Sequence, residues 1–300
     1  MTIVGTVLER DGSQYRVLTG AGEVRAILRG KMKRDTPQVI VGDRVQLEPE
    51  PQGGLFGIAG TEPRRNILER RIPLGRGTRP VVSNVDRVIV VTASIDPAPI
   101  PSLLDRLFVL AEVNEIPAAL VVNKTDLAPG AELLARYRAA GYEAFPTSIR
   151  TGEGLPALRE LLAGRVSVVT GPSGAGKSSL LNALEPGLTL RTGAISEKAR
   201  RGRQTTVGAV MVPLALGGFL VDTPGFSEVG LWGVEPRGLA ECFPEFRPLL
   251  GQCRFPDCRH MTEPGCRIQE AVDAGKIHPD RVASYRLLLE ETEAEPKEWE

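Results

Sequence analysis

The densest chemistry in this 300-residue chain lies in Gly171-Pro172-Ser173-Gly174-Ala175-Gly176-Lys177-Ser178. The string reads GxxxxGKS, follows the apolar Val166-Ser167-Val168-Val169-Thr170, and leads through Ser179 into a helical Leu180-Leu181-Asn182-Ala183-Leu184. Glycines allow the backbone to curl until successive N–H groups face one centre, and a helix amino terminus adds partial positive charge. Between a strand and a helix this pattern is a phosphate loop. Residues 171–179 are therefore candidates for nucleotide contact. Lys177 is expected at the β- and γ-phosphates and Ser178 Oγ on Mg2+.

The base is addressed upstream, in Val121-Val122-Asn123-Lys124-Thr125-Asp126. A carboxylate at Asp126 accepts from both N1–H and the exocyclic amine of guanine, a donor pair that adenine lacks. This disfavours an ATPase or kinase. Lys124 has an alkyl stem to lay across the base. Asn123 either meets O6 and N7 or tethers neighbouring loops. Thr147-Ser148-Ile149 reads as the loop whose backbone N–H meets guanine O6. Downstream, Asp222 of Asp222-Thr223-Pro224-Gly225 is expected as a water-mediated Mg2+ partner, and Gly225 N–H as the γ-phosphate sensor. In Gly202-Arg203-Gln204-Thr205-Thr206, either Thr205 or Thr206 is expected to complete the Mg2+ shell.

A second kind of chemistry sits near the carboxy terminus. Cys253-x4-Cys258-x-His260-x5-Cys266 offers three thiolates and one imidazole, a closed tetrahedral set for structural zinc. Four strong ligands leave no open position for catalysis. Cys242 reads as a core cysteine.

Elements must hold these groups in place. Up to about residue 66 the sequence reads as some five short, half-buried strands with Asp11-Gly12 and Gly20-Ala21-Gly22 turns, a small β-barrel of oligonucleotide-binding (OB) or SH3-like type. Residues 67–80, with Pro73, Gly75, Gly77 and Pro80, read as a linker. From residue 81 to 235 apolar strands alternate with helices, which implies a mostly parallel sheet covered on both faces. Residues 236–300 carry the cysteines and end in an acidic, fraying helix. The fold class is thus multidomain α/β: barrel, P-loop domain, zinc-binding domain.

Composition bounds the rest. Apolar residues make up 42%, charged residues 25%, and net charge is zero. No apolar run reaches the ~18 residues of a membrane span, and no secretory signal opens the chain, so the expected location is the cytoplasm, with no membrane partner. Three basic clusters stand out: Arg29, Lys31, Lys33 and Arg34; Arg64, Arg65, Arg70, Arg71, Arg76 and Arg79; and Lys198, Arg200, Arg201 and Arg203. From charge alone, solvated loops are the favoured reading.

In order along the chain, NKxD, GxSGxGKSS, GRxTT, DTPGF and Cx4CxHx5C depart from the P-loop-first order of small GTPases. In this order they resemble the ribosome small subunit-dependent GTPase A (RsgA) family, whose GTPase domain is circularly permuted. The resemblance spans nearly the whole chain. It implies an OB barrel, a cytoplasmic bacterial monomer, GTP/GDP, Mg2+ and one zinc ion. It also implies a role late in small-subunit assembly, with hydrolysis stimulated by the subunit and driving release. The basic clusters then acquire a partner, ribosomal RNA. This sequence departs from the family pattern at Gln204, where histidine is usual, and like the family it has an apolar residue, Phe226, after DTPG. Gln204 is the expected water-orienting residue. The reading these departures leave open is a non-catalytic, GTP-dependent RNA-binding switch.

Overall fold

The structure, a computed structural model, describes residues 3–29, 38–50, 53–71, 78–185, 209–222 and 234–294. In β2 (Gln14–Thr19) every second residue is buried, and in β4 (Arg44–Pro49) Val45 and Leu47 turn inward between exposed neighbours. With β1 (Ile3–Asp11), β3 (Gly22–Leu28) and β5 (Phe56–Thr61) they close into a barrel in the order β1-β2-β3-β5-β4. β3 and β5 run parallel and the other pairs antiparallel. This is the OB topology, and it removes the SH3-like alternative. Val7, Tyr15, Val17, Leu47 and Ile58 fill the barrel. Leu8 sits at a β-bulge in β1 and enters the main core instead.

The stretch read as a linker is built differently. β6 (Ile67–Arg71) and β7 (Thr78–Ser83) pair antiparallel, with Leu68 and Val82 fully buried. Glycine and proline density suggested a linker and hid the apolar pair Leu68 and Val82. Pro80 faces Glu69 at a register shift, a place where a missing N–H is tolerated.

The central sheet has the order β10-β9-β8-β11-β13-β12. β8 (Arg87–Ala93), β9 (Ala118–Asn123), β10 (Glu143–Pro146), β11 (Val166–Thr170) and β13 (Phe219–Asp222) are parallel; the edge strand β12 (Val210–Pro213) is antiparallel to β13. Both faces are buried, so apolar residues run continuously. Val88 and Val90 face a core shared with α1 (Pro101–Val113) and α2 (Ala131–Ala139). Ile89 and Val91 face the leucines of α3 (Leu155–Leu162) and α4 (Lys177–Leu184). The first core also reaches Leu8 and Met211, where β1 of the barrel lies against β12.

The carboxy-terminal segment packs on this same face. Short 3-10 turns at Leu239–Cys242 and Arg247–Leu249 precede α5 (Arg267–Asp273) and α6 (Pro279–Ala294). The acidic last helix is docked rather than fraying through Ala294: it lies against α1 and buries Val282, Tyr285, Leu288 and Leu289. Its Arg281 is 2% exposed. The guanidinium donates to Asp105 of α1 and, at 2.6 Å, to Glu245 Oε1, and it stacks 4.6 Å from the Phe243 ring centroid. Tyr137 OH also donates to Asp105, at 2.6 Å. Arg106–Glu291 and Arg136–Asp280 bridges flank this junction. Among the described residues no helix is long and apolar enough to cross a membrane.

Candidate functional site

Five parallel strands end at one edge of the sheet, and the loops that leave them meet there. β11 delivers the phosphate loop. Gly171 has φ +136°, and a Cβ on it would fall 1.9 Å from Val91 O. Gly176, at φ +86°, caps α4, and a Cβ there would lie 2.4 Å from Asn123 Nδ2. Neither position has room for a side chain, so the sequence string and the backbone path require each other. Ala175 is fully buried, Ser173, Gly174 and Ser179 are exposed, and Ser178 is half-buried in the first turn of α4. Lys177 Nζ donates to Gly171 O at 2.7 Å and Pro172 O at 2.9 Å, so the ammonium lies within its own loop.

β9 delivers the base-reading residues. Asn123 is 1% exposed and both ends of its amide are engaged. Nδ2 donates to Ala175 O at 3.0 Å and Oδ1 accepts from Thr147 Oγ1 at 3.3 Å. Of its two expected roles, the structure gives it the tether: it joins the base loop to the phosphate loop. Lys124 is left-handed, with φ +62°, and its Nζ donates to Asp96 O. Thr125 Oγ1 donates to Glu153 Oε2 at 2.6 Å and its N–H to Thr147 O at 3.2 Å.

The Asp126 carboxylate is met from the loop after β10. Ser148 Oγ donates to Oδ1 at 2.5 Å, and Arg150 Nε to Oδ2 at 2.7 Å. The Ser148 hydroxyl, followed by Arg150, holds this carboxyl below its ordinary range, so the acceptor stays ionised. Ile149 is 39% exposed. Arg150 was not among the sequence candidates. Its only signal was position, two residues beyond Ser148. The residues of the loop after β8 gave no signal at all: Ser94 N donates to Asn123 O at 2.7 Å, Ser94 Oγ to Lys124 O at 2.8 Å, and Pro97 packs over Gly174.

Asp222 is the last residue of β13, beside the phosphate-loop strand. Gln204, Thr205, Thr206, Gly225 and Phe226 lie outside the described residues.

The cysteine motif closes into one cluster. Ligand atoms of Cys253, Cys258, His260 and Cys266 all lie within 4.8 Å of one another. His260 Nδ1 is 3.6 Å from Cys253 Sγ, 3.6 Å from Cys258 Sγ and 3.4 Å from Cys266 Sγ. Tetrahedral zinc, with Zn–S of about 2.3 Å and Zn–N of about 2.0 Å, requires sulfur and nitrogen about 3.5 Å apart. The residues fit the ion. Burial pushes the His260 pKa down, favouring the neutral imidazole that ligates. Burial and the neighbouring thiols push Cys258 up to about 12, so thiolates packed this closely need a cation. An Arg267 N–H···Sγ contact to Cys253 and the His260 carbonyl bond to Arg286 of α6 supply the outer shell. Cys242 stands apart in the core, as expected, its thiol raised to about 12 by burial.

The basic clusters divide. Arg29 pairs with Glu48 and Glu50, Arg64 with Asp43, and Arg65 with Asp86. These arginines hold the barrel and its junction together and are not spare charges. Arg79 is exposed. The other members, or their side chains, fall outside the described residues.

Comparison with known proteins agrees with this architecture. The sequence model described as RsgA GTPase matches residues 61–232. A Small ribosomal subunit biogenesis GTPase RsgA from Gemmatimonas aurantiaca is 49% identical over 296 residues, covering 96% of each chain. One from Moorella thermoacetica is 43% identical over 289 residues, again with 96% of each covered. The crystal structure of YjeQ from Thermotoga maritima superposes with a TM-score of 0.83 at 34% identity, covering 99% of this chain and 100% of that one. YloQ, described as a circularly permuted GTPase, gives 0.78 at 26% identity, covering 99% and 97%. The chain belongs to the RsgA GTPase family and is a GTP-hydrolysing P-loop enzyme whose base-reading motif precedes its phosphate loop.

Proposed function

We propose that this GTPase serves small ribosomal subunit biogenesis in the cytoplasm, as a monomer that binds the maturing subunit with GTP and leaves it on hydrolysis. The observation that carries the nucleotide half of this reading is the Asn123 bridge. It ties the loop that carries Asp126 to the phosphate loop that carries Lys177 at one sheet edge, where a guanine nucleotide would span both. The ribosomal half is supported by what the relatives are named and by an amino-terminal barrel of OB topology.

Placement supports the roles of the described residues, and the sequence motifs alone support those of Gln204, Thr205, Thr206 and Gly225. Asp126 accepts from the guanine edge, the Lys124 stem lies across the base, and the Ser148-Ile149 backbone meets O6. The amides of residues 171–179 cradle the phosphates, and Lys177 neutralises charge that develops as the γ-phosphoryl leaves. Ser178, Asp222 and one of Thr205 or Thr206 hold Mg2+, which supplies further charge neutralisation when bound. Gln204 orients the attacking water and Gly225 N–H senses the γ-phosphate. Cys253, Cys258, His260 and Cys266 hold one structural zinc ion.

The proposed division is an RNA-binding barrel over 1–66, a linker over 67–80 in which β6 lies and β7 begins, a GTPase domain over 81–235 and a zinc-binding and helical domain over 236–300. With Arg29, Arg64 and Arg65 committed to carboxylates, ribosomal RNA is left to the remaining basic residues. A non-catalytic RNA-binding switch is not favoured for a member of a GTPase family. The test is GTP turnover with Mg2+, with and without small subunits, using Lys177→Ala as the blank. Stimulation lost in the variant is expected. Tight GTP binding with no turnover in either condition would overturn the catalytic reading.

A further inference from the structure

Two non-glycine residues with positive φ stand together at the site edge: Lys124 at +62° and Asp96 at +46°. A left-handed lysine costs about 1 kcal/mol and persists only where its surroundings impose it. Here the surroundings are the loop after β8. Ser94 grips the base loop twice, with its N–H on Asn123 O at 2.7 Å and its hydroxyl on Lys124 O at 2.8 Å. The Lys124 side chain then crosses the phosphate loop, its Cε 4.0 Å from the place a Gly176 Cβ would occupy, and its ammonium is held by Asp96 O. Pro97 packs over Gly174, its Cδ 3.2 Å from where a Cβ would stand. One short segment therefore touches both nucleotide loops.

We propose that Ser94 is a positioning residue for the base: its hydroxyl, bonded to Lys124 O, holds Lys124 left-handed so that the stem lies across guanine. The inference rests on the reading that Lys124 covers the base. The bond acts on nucleotide affinity and not on the chemical step, because the Ser94 hydroxyl donates to the carbonyl of Lys124 in the base loop. Its partner is a backbone carbonyl, so any residue that keeps the hydroxyl preserves the function, and one that removes it releases the strain at Lys124.

The test is binding and release of fluorescent GDP and ADP by the full-length protein as Ser94→Ala, Ser94→Thr and Lys124→Ala, with kcat at saturating GTP. Ser94→Ala is expected to weaken GDP about tenfold, the effect of one hydrogen bond, chiefly through faster release. The kcat should stay within twofold, ADP should weaken in parallel because the alkyl stem covers either purine, and Ser94→Thr should restore both. Loss of affinity that Ser94→Thr does not restore would mean a general loosening of the fold and would overturn the proposal. So would unchanged GDP release in Ser94→Ala alongside a weakened Lys124→Ala. If Lys124→Ala itself binds GDP normally, it is the reading of Lys124 as the base cover that fails.

Discussion

Asp126 is the residue on which guanine selection turns, and the structure surrounds it with donors before any base arrives. Its carboxyl is held below the ordinary aspartate value of 3.8 by the Ser148 hydroxyl and then by Arg150. A depressed pKa means that the ionised acceptor survives as the pH falls through the usual carboxylate range. GDP affinity is therefore expected to be flat from about pH 7 to pH 5 by calorimetry. Asp126→Ala should cost roughly 2 kcal/mol of GDP affinity, about thirtyfold, because charge-assisted bonds to the base are lost. ADP should be hardly affected. At this scale the site was legible wherever chemistry is contiguous in the chain, as in Asn123-Lys124-Thr125-Asp126 and the phosphate loop. Arg150 and Ser94 were not, because an arginine after a serine and a serine after a strand carry no spacing signal until the loops are folded against each other.

The zinc motif and the helices around it answer as elements. Thiol and imidazole spacings pointed to the four side chains that the fold brings into one cluster, a candidate zinc site. What the spacing did not show is what the loop braces. His260 O and Arg259 O accept from Arg286 and Tyr285 of α6, so the metal loop fixes the last helix to the body. Removing zinc with a strong chelator, or substituting Cys258→Ser, should increase amide exchange in residues 253–294. GDP affinity should stay within a few fold, because the Asn123 tether and the Lys177 contacts lie elsewhere. The connecting strands β6 and β7 teach the converse. Their glycines and prolines read as a linker, but pairing of Leu68 with Val82 depends on the core they enter and not on local composition.

For the molecule as a whole, the joint between the GTPase sheet and the carboxy-terminal segment is ionic and buried. Arg281 and Asp105 lie 176 residues apart in sequence and are each almost fully excluded from water. No pattern in the chain announces such a pair, and the acidic tail of α6 suggested a loose helix because its one decisive basic residue points inward. Arg281→Ala leaves Asp105 and Glu245 buried without their cation, which costs about 3–5 kcal/mol. Denaturant unfolding should show that loss, and adding Asp105→Ala should recover part of it. The sheet order has a different consequence, one of manufacture. β8 is hydrogen-bonded to β9 on one side and to β11 on the other. In this chain β9 and β10 leave the ribosome before β11 does. The three strands that read the base are thus synthesised first, and the bare side of β8, with Val88, Ile89, Val90 and Val91 in a row, waits for the phosphate-loop strand to cover it. Such an open edge presents unpaired N–H and C=O groups and invites wrong partners. Permuting the motifs has made the half-finished enzyme, for a time, a sheet with one sticky border, and it gives the growing chain a reason to need protection until residues 166–170 emerge.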